Sequence, residues 1–510
     1  MAFIEPWAEQ EIESVLHEKY TDYKIDIDKV HILFLSRGIE MENVSIVPKT
    51  EFTDKMGLKG EIRRMAFLGI HLQKLFSNND LEIDEVSVSE GTLKGVLPET
   101  NKEKSDEEKL ASMVAKQNIL VHKISFTKTE LFVVHKPGAE TYKLKEGLLN
   151  IYNIRINKKD TLTPSVINEF DFKALEFFCT VDDSMYTITA SGIEYSTKEK
   201  KLFARDLIVH PNYSDYAFTS RKKYQTDCIT ATLNDISMYD FSIADFIKDN
   251  TLASSYVEVE RLDMHVFRDK RKEFHHIKKP MFQELMYNYK GKLNIDSLKL
   301  IAGNIYYAEH AEMAHKPGHA SLNNIHAVVF NISNDVNYKK KEKDLIVKGH
   351  MYIMGKARMN IMLKARLYDP QDAFYLEGSL AAMEADELNP MIGRNAFIYV
   401  TGGKIDGAHF NMRADKQKAI GRMTMLYHGL DVAVKDKKTN DTTAIKAKLI
   451  SFVANKRIMD SNPLPGEEPR DVMILYERDP EKFVFNYCLK SLLSGVKATL
   501  AKAHKQHKGK

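Results

Sequence analysis

The phrase LEIDEVSVSEGTLKG, Leu81 to Gly95, returns as LNIDSLKLIAGNIYY, Leu293 to Tyr307, with the Ile-Asp pair, the apolar positions and a glycine in the same register. In both copies alternating apolar residues follow the aspartate (Val86 and Val88; Leu298 and Leu300), and Gly91 or Gly303 precedes a second alternating run. Alternation with a period of two belongs to strands, and a glycine between two such runs reads as a turn, so each copy reads as strand, turn, strand. A looser version, IDIDKVHILFLSRGIEM, runs from Ile25 to Met41. Reuse of one hairpin unit along a chain points to a long β protein.

The clearest single strand is KARMNIMLKARL, Lys356 to Leu367. There Ala357, Met359, Ile361, Leu363, Ala365 and Leu367 alternate with Lys356, Arg358, Asn360, Lys364 and Arg366, and only Met362 interrupts the polar side. One side of this strand belongs in an apolar environment and the other in water. Similar alternation marks Met185 to Ala190, His409 to Ala414 and Arg422 to Tyr427. Helical patterns are fewer. Glu9 to Tyr20 is one. Ser105 to Lys116, with Ser105 and Glu108 at capping-box spacing, is another. A third follows Asp479-Pro480, where Phe485, Leu489, Leu492, Leu493, Val496 and Leu500 form an apolar stripe. That stripe suits packing against the chain's own sheet. Leu489, Leu493, Lys497, Lys502 and Lys505 also suit an anionic membrane surface, and both possibilities stay open.

The resulting organisation is an N-terminal helix over 1–22, a first β region over 23–255 and a second over 256–460. A linker rich in Pro and Gly follows over 461–478, then the amphipathic helix and basic tail over 479–510. No apolar run reaches the length of a membrane helix. The start, MAFIEPW, reads either as an ordinary soluble beginning or as the remnant of an anchor.

Chemistry-bearing motifs are scarce. Lys plus Arg is 74 and Asp plus Glu is 71, a net charge of +3 with no global field for nucleic acid. Three cysteines, Cys179, Cys228 and Cys488, lie far apart without metal-binding spacing. His310, His315 and His319, beside Glu309 and Glu312, match no zinc motif and read as solvated residues of a hairpin connection. Thr401-Gly402-Gly403-Lys404 lacks Walker spacing and reads as a turn, and RDKRKEFHHIKK, Arg268 to Lys279, reads as an exposed basic loop. No catalytic residue, metal or cofactor is expected.

The block from Leu376 to Val434, the phrase from Leu293 to Asn334 and the ending YERDPEKFVFNYCLKSLLSGVK, Tyr476 to Lys497, resemble bacterial AsmA-like envelope proteins. The first half is similar more loosely, through SGIEYSTKEKKLFARDLIVHP and the opening hairpin. The resemblance implies an inner-membrane helix, whose apolar body this chain lacks, followed by an elongated, twisted, open antiparallel sheet curved like a gutter on the periplasmic side of the envelope. It also implies bridge-like lipid transfer. The expected function is then non-catalytic binding or transfer of phospholipid between membranes, with Met359, Ile361, Leu363, Ala365 and Leu367 as groove-facing candidates. The alternative is a scaffold that assists assembly of outer-membrane proteins through open strand edges. A covered, filled core remains equally compatible with the alternation.

Overall fold

A computed structural model describes residues 4–19, 22–49, 57–78, 80–97, 118–135, 141–156, 169–182, 184–335, 343–396, 398–434 and 458–502. The fold is mostly β, a long mixed but mainly antiparallel open sheet of 21 strands with few helices. The helix expected at Ser105 to Lys116 lies outside the described residues. Contacts divide the chain into two compact units, Met1–Asn212 and Tyr213–Lys510, where the sequence suggested a boundary after 255.

Unit 1 begins with α1 (Ile4–Lys19) and the short strands β1 (Tyr23–Asp26) and β2 (Lys29–Leu33), both paired with β3 (Gly38–Pro48). Next come β4 (Gly57–Ile70), α2 (Leu72–Asn78), β5 (Leu81–Leu97), β6 (Ile119–His135) and β7 (Thr141–Ile156), then β8 (Glu169–Val181), β9 (Tyr186–Ser196) and β10 (Lys201–Pro211). From β2 to β10, neighbours in sequence are neighbours in the sheet. All pairs are antiparallel except β5 with β6, which run parallel.

Unit 2 opens with α3 (Asp215–Arg221), β11 (Asp227–Tyr239), α4 (Ile243–Asp249), β12 (Leu252–Asp269) and α5 (Phe282–Tyr287). The strands β13 (Leu293–His310), β14 (Gly318–Ser333), β15 (Asp344–Ile353), β16 (Ala357–Arg366) and β17 (Phe374–Leu380) follow. The chain ends with β18 (Met383–Glu384), α6 (Asn389–Asn395), β19 (Ile398–Ala414), β20 (Lys418–Val434), β21 (Asp471–Glu477) and α7 (Val484–Leu500). Strand β21 falls inside the stretch read as a linker. Here too one pair is parallel, β12 with β13, and α5 lies in its crossover, as parallel strands require.

Both copies of the repeated phrase are single uninterrupted strands, β5 and β13, and each belongs to its unit's parallel pair. The hairpin reading is therefore corrected, and the physical reason is a phase slip. In β3 the apolar residues step from Met41 to Val44, in β5 from Val88 to Gly91 and in β7 from Ile151 to Ile154. These steps of three interrupt the usual steps of two, yet all six residues are buried. One residue inside each step has a left-handed backbone: Asn43 at φ 52°, Glu90 at φ 54° and Asn153 at φ 54°. That residue is an exposed polar group in each case, and its left-handed joint restores the apolar side chains to one face while the strand register is unchanged. Lys128, Glu146, Gly192, Asp235 and Asn324 carry the same left-handed backbone in β6, β7, β9, β11 and β14, and a register shift marks a β-bulge beside Lys128 and Glu146 and at Asn324. Between β3 and β4, Glu42 opposes Arg64 and Val44 opposes Ile62, leaving Asn43 and Arg63 between, and the Arg63 guanidinium donates to Glu90 of β5 at 2.7 Å. Gly402-Gly403 is likewise a bulge within β19, not a turn.

The outer strands are finished by side chains. At the start of unit 1, Ile12 of α1 packs against the cluster of Ile27, Val30, Met41, Val44, Ile62 and Val88, and the Glu13 carboxylate accepts the Ile27 N–H at 2.8 Å. At the end of unit 2, the Ser494 hydroxyl of α7 accepts the Leu475 N–H of β21 at 3.3 Å.

Candidate functional site

In unit 2 the strand register draws one apolar line across the sheet. Val329 opposes Val347, Val347 opposes Leu363, Leu363 opposes Leu376, and Leu376 opposes Met412. Helices α5 and α7 cover this line. Met281, at the start of α5, and Met286, within it, are buried there with Val484 and Tyr487 of α7, and Leu492, Val496 and Leu500 press on the same cluster. Close approach of α7 depends on Gly495, where an added Cβ would lie 3.0 Å from both Ile474 and Met423. The five groove candidates meet different fates. Leu363, Ala365 and Leu367 are sealed in this core, Met359 packs against it, and Ile361 is half-buried. The expectation that this set lies open is corrected: helices from the connections fill the space above it.

Unit 1 presents the same kind of face, and among the described residues no helix covers it over β6 to β10. Its described helices sit on β1, β2 and β5. Beyond them, one row runs Phe126, Leu149, Phe172, Tyr195 and Leu202 through successive register pairs from β6 to β10. A second runs Leu131, Leu144, Phe177, Ala190 and Leu207 across the same strands. Apart from Tyr195 and Ala190, these side chains are half-buried or exposed. They shield one another edge to edge while their upper surfaces are uncovered by any described helix.

The opposite, polar faces are laced by ion pairs, among them Lys173–Glu194 at 3.0 Å and Lys123–Glu85 at 3.0 Å in unit 1, and Arg422–Asp471 at 2.6 Å in unit 2. Each polar face carries one dish. The dish of unit 1, about 470 Å³, is lined by residues including Asn150, Asp171, Lys173 and Glu194; that of unit 2, about 540 Å³, by residues including Asn360, Glu377, His409 and Arg422. In these dishes Asp171 accepts from the Tyr152 hydroxyl at 3.3 Å, Lys173 pairs with Glu194, Glu377 accepts from the Tyr375 hydroxyl at 3.0 Å, and Arg422 pairs with Asp471.

The histidine segment is a hairpin connection between β13 and β14, as its sequence suggests, but His310 is buried there, not solvated. Its ring nitrogens meet the Tyr216 hydroxyl and the Ala314 carbonyl, each at 2.8 Å. Glu309 is buried beside it, held by Lys270 at 2.7 Å and by the Tyr307 hydroxyl at 2.7 Å. Burial, reinforced by that carboxylate, pushes the Tyr307 phenol well above its ordinary range. Burial also pushes the Cys228 thiol up to about 12. Among the described residues no group of three or more His, Cys, Asp or Glu side chains is placed to hold a metal ion.

The outer side of α7 departs from the single packed stripe expected of it. The helix buries Val484, Tyr487, Ser491, Gly495 and Thr499, residues that are mostly small, and turns Phe485 (71% exposed), Leu489 (52%) and Leu493 outward beside Lys490 and Lys497. Lys502 is exposed just beyond the helix, and Lys505 lies outside the described residues. Among the described residues no helix is long and apolar enough to cross a membrane.

A second surface was invisible in the sequence because three distant segments build it. The Gln225 side chain donates to the carbonyls of Lys270 and Lys272 at 3.2 and 2.9 Å, and its N–H donates to the Glu273 carbonyl at 2.9 Å. These bonds dock Arg221 to Tyr224 against the loop from Lys270 to Lys279. The Tyr224 and His275 rings stack at 4.2 Å. Lys482 arrives from the C-terminal segment, with its ammonium 3.1 Å from the centre of the Phe274 ring, and the Lys279 N–H donates to the Pro480 carbonyl. The only sequence signal was the basic composition of the two segments.

No protein-family model matches the chain, and no curated protein sequence matches it.

Proposed function

We propose that the protein is a non-catalytic, AsmA-like component of a bacterial cell envelope that binds or transfers phospholipid along an apolar sheet face. The observation that carries this reading is the pair of apolar rows on β6 to β10, which no described helix covers. Five strands spaced by about 4.8 Å give each row a width of roughly 19 Å. An acyl chain laid on it gains about 0.8 kcal/mol for each methylene removed from water. Left-handed joints support the reading because they keep the buried apolar residues of β3, β5 and β7 on one face across a step of three. The groove-facing set moves accordingly from Leu363 and its neighbours to Leu149, Phe172 and Phe177. The outward stripe of α7, with Leu489, Leu493, Lys497 and Lys502, supports contact with a membrane surface, in keeping with a periplasmic, membrane-associated location.

The scaffold alternative has less behind it. An assembly platform that works by strand addition needs free edge N–H groups, and Glu5 and Ser494 occupy such groups on β2 and β21. The test is lipid extraction from gently purified protein followed by mass spectrometry. Phospholipid is expected with the native chain and lost from a Leu149→Asp, Phe172→Asp variant that still folds. Lipid-free native protein, or lipid retained by that variant, sinks the reading.

A further inference from the structure

We infer that the surface built by Arg221–Tyr224, Lys270–Lys279 and Lys482 docks unit 2 onto the anionic headgroups of a phospholipid bilayer. This rests on the proposed lipid-handling role and adds the chemistry of the membrane it meets. Charge is distributed by depth. Arg221, Lys223, Arg271 and Lys278 are exposed, against Glu273 as the exposed acid of the same segments. The remaining acids are set back and engaged: Asp269 by Arg271 at 2.8 Å, Glu309 by Lys270, Glu284 by Lys278 at 3.3 Å and Glu481 by His276 at 2.9 Å. What faces outward is therefore cationic. Burial, with Lys270 and Arg268 nearby, also holds the Lys482 ammonium below its ordinary range, as expected where positive charge accumulates.

The surface is continuous with an apolar one. Lys279 lies over the Phe483 ring at 5.1 Å, and Phe485, the first outward residue of α7, meets Phe282 edge-on at 5.6 Å. From there Leu489 and Leu493 continue along a helix that contains lysines and no acidic residue between Val484 and Lys502. Cations beside exposed Phe and Leu match a headgroup layer above acyl chains. Single-stranded nucleic acid also selects basic and aromatic residues, but it needs open ring faces for stacking. Here the rings are engaged from within the protein: Tyr213 by Arg221 at 3.7 Å, Tyr224 by His275, Tyr216 by Arg271 and Phe274 by Lys482.

The experiment is co-sedimentation of the full chain with vesicles of phosphatidylcholine alone and of equal parts phosphatidylcholine and phosphatidylglycerol, at low and high salt. Binding is expected with the mixed vesicles only and is expected to be released by salt. Each basic residue near the surface contributes about fivefold in partitioning, so the triple variant Arg221→Gln, Lys223→Gln, Lys278→Gln is expected to lose on the order of 100-fold. Equal binding to both vesicle types, an unchanged triple variant, or tighter binding to single-stranded DNA than to the mixed vesicles overturns the inference. Lipid extracted from the same preparations separates the two proposals. Native protein that carries lipid but ignores anionic vesicles loses the docking surface alone, whereas vesicle binding without extractable lipid removes the acyl-chain role alone.

Discussion

Units 1 and 2 write the same alternation into their strands and finish it differently. In unit 2 the apolar line through Leu363, Leu376 and Met412 lies under α5 and α7 and forms a dry core. In unit 1 the rows through Leu149, Phe172 and Phe177 have no described helix above them. Strand pattern therefore decides which side chains share a face, and the connections decide whether that face becomes interior or surface. Among the described residues that difference in cover, and not the strand pattern, is what separates the two faces.

The contrast can be broken most forcefully by charge. Leu363→Asp places a carboxylate in a sealed core with no partner and is expected to cost at least about 4 kcal/mol, enough to unfold unit 2 in chemical denaturation. Phe172→Asp leaves its charge at a half-open surface and is expected to cost less than half as much while removing bound lipid. Equal losses for the two variants would erase the distinction between the faces. Next in size is Gly495→Leu, which forces side-chain volume between α7 and the pair Ile474 and Met423; about 1–3 kcal/mol of stability is expected to go, measured by the shift of the urea midpoint.

Acid sharpens the comparison further. Arg271 holds the Asp269 carboxyl below the usual carboxylate range, against the opposing effect of burial. A folded-state pKa below the unfolded value stabilises the fold above the unfolded pKa, and that contribution disappears as pH falls through the folded one. Asp269→Asn is therefore expected to flatten the acid limb of stability for unit 2 and to leave unit 1 unchanged. A native-like limb in that variant would assign the acid sensitivity elsewhere. The smallest effects belong to the edges. Glu13→Ala removes a side-chain acceptor from the turn between β1 and β2 and Ser494→Ala one from β21, with about 0.5–1.5 kcal/mol expected from each and faster amide exchange at Ile27 and Leu475.

Much of this was legible from residues. Lys356 to Leu367 announced β16, and Glu9 to Tyr20 most of α1, because period and length are local properties. Gly91, Gly303 and Gly402-Gly403 misled because a continuous strand, with or without a bulge, can leave the same mark as a turn, a glycine between two alternating runs, and only pairing distinguishes them. The fate of Leu363 depended on Met281 and Tyr487, more than 80 and 120 residues away along the chain, and no periodicity encodes such a meeting. Burial of His310 followed from Tyr216, 94 residues earlier. The basic surface was legible only as the exposed basic loop from Arg268 to Lys279, since Tyr224, His275 and Lys482 become neighbours only after folding.

The left-handed joints of unit 1 also have a mechanical side. A continuous pleated ribbon resists bending along its strands, but β3, β5, β6, β7 and β9 each carry a left-handed joint on one line across the sheet, at Asn43, Glu90, Lys128, Glu146 and Gly192. That line is a crease between two panels, and the ladders of β3, β4 and β5 keep the same pairing on either side of it.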